Sequence, residues 1–306
     1  MRNAFANEVT QLAKTDSRVV LLSGDIGNKL FDEFKGVDSK RFYNCGIAEG
    51  NMMGVAAGMA LSGLRPIVYT ITPFTTTRCF EQIRVDVCYH EAPVIIVGTG
   101  SGLSYAELGA THHSLEDLAI LRTLPGISVM APCDANELRA ALRAALLQNV
   151  PTYIRIGKKG ETQIFDTVPA LQIGKSTVIS PGSDIALICA GTLMGEAAIA
   201  ANILQTKGIS VELVSMHTIK PLDTVYLMKA AKRLKLIVSI EEHGLIGGLS
   251  GAISEWRSID SENIPHLSVG TPDTFLHEVG SQEYAREKFG LLGNQIASRV
   301  FDALNG

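Results

Sequence analysis

The sequence predicts an α/β protein built as two domains, each a mostly parallel sheet flanked by helices. Three observations carry this expectation. Apolar runs of strand length alternate with helical patterns along most of the chain. Those runs are apolar at successive positions, as strands covered by helices on both faces require. The alternation lapses once, from Lys158 to about Ser180, where Gly, Lys, Thr and Pro dominate. With 306 residues, 46% of them hydrophobic, the chain is long enough for two such units. The expected organisation is a domain over residues 1–157, a linker over 158–177 and a second domain over 178–306.

The elements follow in order. MRNAFANEVTQLAK reads as an amphipathic helix, with Phe5, Val9 and Leu12 on one face. RVVLLSG is a strand, and a helix rich in small residues begins near Gly46. The strand RPIVYTI leads to the helix RCFEQIRVDVCYH, where Phe80, Ile83, Val87 and Cys88 line up. The strand APVIIVG precedes a long loop and the helix SLEDLAILRTL. ISVMAP is followed by the helix DANELRAALRAALLQ, in which Asp134 and Glu137 have capping-box spacing, and PTYIRI closes the set. In the second unit DIALICAGT, ISVELVSM, LKLIVSIEE and HLSVGT read as strands. GEAAIAANILQTKG, DTVYLMKAAKRL and NQIASRVFDALN read as helices.

Bulk properties exclude several classes. A formal charge of −4 advertises neither nucleic acid nor an anionic membrane as partner. No run approaches 18 uninterrupted apolar residues, and the N-terminus lacks a signal-peptide core, so a membrane span is not expected. Five cysteines without a CxxC fit reduced thiols and a cytoplasmic protein. GxxxxGK[ST], HExxH and GxSxG are absent. The adjacent His112 and His113 project apart on either a helix or a strand, so no metal held by this chain alone is expected.

Glu49 is the informative residue. RFYNCGIAEGNMMGVAAGMA, residues 41–60, is almost wholly Gly, Ala, Met and Val around one carboxylate, and nothing within four residues can pair with it. An ionised carboxylate in an apolar setting is costly unless a partner meets it. Either Glu49 is an ordinary first-turn acid favoured by the helix dipole, or a group outside the segment needs it. Gly46, Gly50, Gly54, Ala56, Ala57 and Gly58 leave little side-chain bulk, so a second backbone or a ligand can approach closely.

RFYNCGIAEGNMMGVAAGMALSG resembles the signature of the pyrimidine-binding domain of transketolases and deoxyxylulose-phosphate synthases. RCFEQIRVDV, GATHHSLEDLAILRTLPGISVMAPCDANE, TIKPLD (Thr218–Asp223) and EEHGLIGGLSGAI (Glu241–Ile253) follow in the family's order, and the last two resemble its C-terminal domain. The resemblance implies a thiamine-diphosphate-binding fold followed by a transketolase C-terminal domain, and a transferase that moves a two-carbon ketol unit to a sugar acceptor. It makes Glu49 catalytic, as the carboxylate that hydrogen-bonds N1′ of the cofactor's aminopyrimidine. Phe74 becomes the ring stacked on that aminopyrimidine, with Ile71 and Asp25 completing the expected cofactor contacts. His112 falls on the family's active-site histidine, placed to bond a substrate oxygen or shuttle a proton, while His113 points elsewhere.

The family's GDG…N motif, which holds Mg2+ and the diphosphate, is missing. The one GD, Gly24–Asp25, is followed by Ile26. The resemblance is therefore to the C-terminal subunit of a split transketolase. It implies an N-terminal partner subunit supplying the Mg2+ ligands, and a self-dimer within an α2β2 assembly whose two-fold contact lies near residues 46–60. The expected substrate contacts are His112, Gly100, Leu108, Arg155 and Lys158, several of which depart from the family. Leu108, beside Glu107, stands where an acid is usual, Gly100 replaces a histidine, and Lys158, with Arg155 close by, replaces an arginine. Gly50 also stands where the family has glutamine. These changes imply a less polar, roomier wall and an altered acceptor. Two other readings stay open: a β subunit of a 2-oxo-acid dehydrogenase, and a non-catalytic regulatory subunit.

Overall fold

The computed structural model describes residues 1–27, 29–260 and 263–305. In the first half, α1 (Arg2–Thr15) leads into β1 (Val19–Ser23), α2 (Asp32–Val37), β2 (Phe42–Asn44), α3 (Glu49–Leu61) and β3 (Arg65–Ile71). A broken helical segment follows, made of α4 (Thr72–Thr75), a 3-10 turn at Thr77–Cys79, α5 (Phe80–Gln82) and a π-helical stretch at Ile83–Tyr89. Then come β4 (Ile95–Thr99), α6 (Asp117–Arg122), β5 (Ser128–Met130), α7 (Ala135–Leu147) and β6 (Thr152–Ile156). The second half runs β7 (Thr177–Ser180), β8 (Ile185–Ala190), α8 (Met194–Thr206), β9 (Val211–Ser215), β10 (Thr218–Lys220), α9 (Thr224–Ala231) and β11 (Leu236–Gly244). It ends with α10 (Leu249–Ile259), β12 (His266–Thr271), α11 (Gln282–Lys288) and α12 (Gly293–Asn305).

Two sheets result, in the orders β10-β5-β6-β4-β3-β1-β2 and β12-β11-β8-β9-β7. Both are parallel except at one edge, where β10 and β7 run antiparallel to β5 and β9. Alternation along each strand divides the apolar side chains between two layers. Leu21, Ile67, Ile95 and Ile154 pack under α1 and α7, where Phe5 stacks on Tyr69 at 4.9 Å. Val20, Leu22, Val68 and Ile96 face the other way, into a layer that also contains Ala186, Ile188, Val214 and Ile237 of the second sheet. The two sheets therefore share one core.

Several elements differ from the sequence reading. β10 lies in TIKPLD, too short a run to read as a strand, and it joins the sheet of the other half. β7 is a half-exposed edge strand whose pattern merges with the preceding linker. α10 follows a glycine-rich stretch and is started by a distant acid: buried Glu241 accepts from Leu249 N at 2.7 Å and Ser250 N at 2.8 Å. Local propensity signals none of these, because each depends on a tertiary partner.

The loop after β4 positions the site. Gly102 and Ser114 exchange backbone hydrogen bonds of 3.1 and 2.9 Å, closing residues 103–113 into a loop. The second half pins it. Glu242 on β11 accepts from Leu103 N at 2.7 Å, while Gln282 (2.9 Å) and Arg286 of α11 donate to the same carboxylate. Gly102 is required here, since a Cβ would stand 2.4 Å from Glu242 Oε1 on a backbone with φ +61°.

The expected capping box is found in altered form. Asp134 accepts from Asn136 N and Glu137 N, but Glu137 reaches Cys133 N at 2.7 Å instead of the cap residue, and Ser215 Oγ of the second sheet at 2.7 Å. Burial pushes the Glu137 carboxyl up from 4.5 to about 7. The folded state then binds a proton more tightly than the unfolded chain. Glu137 accordingly favours folding below pH 4.5, and this contribution is lost as pH rises through about 7, a change of about 3 kcal/mol. Glu137→Gln, which keeps an acceptor and adds a donor, is expected to flatten that part of the stability–pH curve in denaturant titrations between pH 4 and 8.

Candidate active site

The predicted site residues gather where parallel strands end. Asp25 follows β1, Glu49 opens α3 just after β2, Phe74 follows β3, Gly100 follows β4 and Lys158 follows β6. The carboxyl ends of parallel strands are where α/β sheets bind ligands, because the chain diverges there into loops and helix starts.

Glu49 is 3% exposed. The backbone at Gly24 passes close above it, so that a Cβ there would lie 3.4 Å from Glu49 Cγ and 3.0 Å from Thr70. No neighbour within four residues is expected to pair with Glu49, and its partner comes from outside the segment. Arg78 Nη1 donates to Glu49 Oε2 at 2.9 Å, from a turn 29 residues away. The same guanidinium lies over Phe74, 4.1 Å from the ring centre. His112 meets Phe74 edge-on at 5.3 Å and Tyr105 at 6.0 Å. Its Nδ1 lies 2.9 Å from Thr111 Oγ1, and its backbone N–H closes a turn onto Gly109 O. Lys158 sits 4.4 Å over Tyr105 and pairs with Glu107, whose carboxyl it holds below the ordinary value.

A continuous row of contacts thus runs Glu49–Arg78–Phe74–His112–Tyr105–Lys158–Glu107. Arg78 and Tyr105 escape the sequence reading. Arg78 stands four residues after Phe74, but α4 ends at Thr75 and the backbone leaves the helical region at Thr76, so no helical period signals the pair. Tyr105 explains Gly100: a Cβ there would lie 1.9 Å from the Tyr105 ring, on a backbone with φ +76°. The expected roomier wall is therefore corrected, because Tyr105 fills the space.

Other expected residues are placed as follows. Arg155 is corrected. It is buried, and its guanidinium is engaged by Asp117 (3.4 Å), Ser114 O (3.4 Å) and Glu242 O (3.1 Å), which makes it an interdomain tie and removes it from the wall of the site. Leu108 is 49% exposed on the loop, beside Glu107. Ile71 is the half-buried residue that turns β3 into α4. Asp25 is exposed, has φ +55° and accepts from Asn44 Nδ2 at 3.0 Å. His113 turns inward, and burial pushes its imidazole below the ordinary range.

Glu49 and Phe74 suit a flat heterocycle with a polar edge, since they offer one buried acceptor beside one aromatic face. Arg78, itself a flat N–H donor, already meets both. Among the described residues, no three His, Cys, Asp or Glu side chains come together to hold a metal, and no helix is long and apolar enough to cross a membrane.

Comparison with known proteins finds matches to both halves of the chain. Residues 1–161 match the family described as transketolase, pyrimidine binding domain, and residues 174–296 match transketolase, C-terminal domain. The chain is 33% identical over 297 residues to a 6-deoxy-6-sulfo-D-fructose transketolase subunit of Clostridium sp. (strain MSTE9), covering 97% of this chain and 92% of that one. It is 32% identical over 296 residues to one of the apulose-4-phosphate transketolase subunits of Phocaeicola vulgatus, covering 95% and 94%. A solved structure titled split gene transketolase, inactive beta4 tetramer, superposes with a TM-score of 0.92 at 34% identity, covering 99% of this chain and 98% of that one. This chain belongs to the transketolase family and carries its pyrimidine-binding and C-terminal domains.

Proposed function

We propose that this chain is the pyrimidine-binding subunit of a split, thiamine-diphosphate-dependent transketolase that transfers a two-carbon ketol unit to a sugar acceptor. The observation that carries the reading is the buried Glu49 carboxylate beside the Phe74 ring, with His112 against that ring. Thiamine diphosphate, when bound, supplies the nucleophilic carbon that carries the ketol unit. Glu49 provides the acceptor for the aminopyrimidine nitrogen, Phe74 the stacking face, and His112 the group that holds or moves a proton at a substrate oxygen. An N-terminal subunit provides the ligands for Mg2+ and the diphosphate. The relatives named as transketolase subunits, matched over almost their full length, support this reading over a 2-oxo-acid dehydrogenase subunit. The clustering of Glu49, Phe74 and His112 supports it over a non-catalytic subunit.

In the complex reconstituted with that partner, Glu49→Ala is expected to leave the circular dichroism spectrum unchanged. Exchange of the cofactor's C2 hydrogen for deuterium should slow by about 10²–10⁴-fold, as for loss of a positioned acid–base group. Unchanged exchange would reduce Glu49 to a first-turn acid.

We propose a two-fold self-contact near α3, where Val55 and Leu61 of the helix and Ile47 just before it are exposed among small residues. Light scattering should show at least a dimer of this chain, with or without the partner; a monomer under both conditions defeats the assignment.

The acceptor is proposed to differ from a short aldose phosphate. Leu108, the Tyr105 ring over Gly100, and a Lys158 engaged by Glu107 replace an acid, an imidazole and a forked guanidinium. Ribose 5-phosphate and erythrose 4-phosphate should turn over with kcat/KM below about 10⁴ M⁻¹s⁻¹, the lower end for native substrates. Values above that restore the ordinary acceptors.

A further inference from the structure

Arg78 makes, within the chain, both contacts that the proposed function asks of the aminopyrimidine. Its guanidinium lies 4.1 Å over the Phe74 ring centre, and it donates to Glu49 Oε2 at 2.9 Å. A guanidinium and an aminopyrimidine that carries a proton on N1′ are both flat and each presents an N–H in the plane of the ring or fork, so they compete for the same acceptor and the same ring face.

The two partners differ in freedom. The Glu49 side chain is 3% exposed at the head of α3, whereas the Arg78 side chain is 45% exposed. The backbone beneath Arg78 is held by Cys79 N donating to Thr76 O at 3.1 Å and Thr77 Oγ1 donating to Pro73 O at 2.7 Å. The turn is therefore fixed, while the long stem above it can swing into solvent at the cost of one ion pair and one ring contact.

We propose that Arg78 is a displaceable occupant of the pyrimidine site. In the cofactor-free chain it covers Phe74 and satisfies the Glu49 carboxylate, and it must leave both before an aminopyrimidine can take its place. This inference rests on the reading of Glu49 and Phe74 as cofactor contacts. It accounts for a buried acid that stays tolerable while the subunit is alone, since Glu49 never lacks a donor. Arg78 would also set the cofactor's affinity, because each binding event forfeits the guanidinium's contacts.

Calorimetric titration of thiamine diphosphate with excess Mg2+ into the reconstituted complex tests this. Four forms are compared: wild type, Arg78→Ala, Arg78→Met and Glu49→Ala. A partly exposed ion pair and a cation–π contact are together worth about three- to thirtyfold in an equilibrium constant. Arg78→Ala is therefore expected to tighten binding by about that factor. Arg78→Met should gain less, since its side chain still lies on Phe74, and Glu49→Ala should weaken binding. Equal or weaker binding by both Arg78 variants, with Glu49→Ala impaired, overturns the displacement alone and leaves the site standing. Unimpaired binding by Glu49→Ala overturns the pyrimidine site and the displacement together.

Discussion

A carboxylate held almost out of solvent at the head of α3 obliges the rest of the site to supply it with a donor. The burial follows from the segment itself. α3 carries its only acid at its first residue, and its remaining buried side chains are methionine and alanine. Gly24 closes over the acid from the end of β1, so water is displaced by backbone. An unpaired charge in that setting would be expensive. Arg78 meets the need in the structure, and a cofactor nitrogen meets it in the proposed function. The stacking on Phe74 is tied to the same requirement, because a flat donor aimed at Glu49 lies on that ring.

The second half of the chain holds the loop that completes the site. Its sheet shares a core with the first, and β10 extends the first sheet by a strand. Glu242 bonds the backbone of Leu103, and Arg155 ties Ser114 O to Glu242 O. These contacts bracket the loop that carries Tyr105 and His112. His112 therefore reaches Phe74 on a loop anchored at both ends, rather than on a free excursion from β4. Rigid support of this kind is what a group needs if it is to hold or move a proton at a fixed point.

The row from Glu49 to Glu107 also separates two tasks. Its first members, Glu49, Arg78 and Phe74, concern a flat ring at the ends of β1 to β3. Its last members, Tyr105, Lys158 and Glu107, stand at the ends of β4 and β6, with His112 between. Three of the departures from the family pattern expected from the sequence, Leu108, Gly100 and Lys158, lie at or beside the second group, where the proposed acceptor is read, while Gly50 lies beside Glu49 in the first.

Much of this was legible in the sequence. Apolar runs at strand length, the helical faces of α1 and α7, and the isolated acid among glycines are local patterns. Periods of two and 3.6 residues identify them without any distant information. The signature around Glu49 marked the family for the same reason, since a close-packed segment tolerates few side chains. What only the tertiary structure decided were the pairings. Glu49 finds Arg78 across 29 residues and Leu103 finds Glu242 across 139, while Gly100 is explained by a ring packed onto its backbone. Arg155, expected in the site, is instead consumed in joining the two halves. A side chain's partner depends on which strand ends converge, and that convergence is set by sheet order and a shared core. Neither is written in the neighbourhood of any one residue.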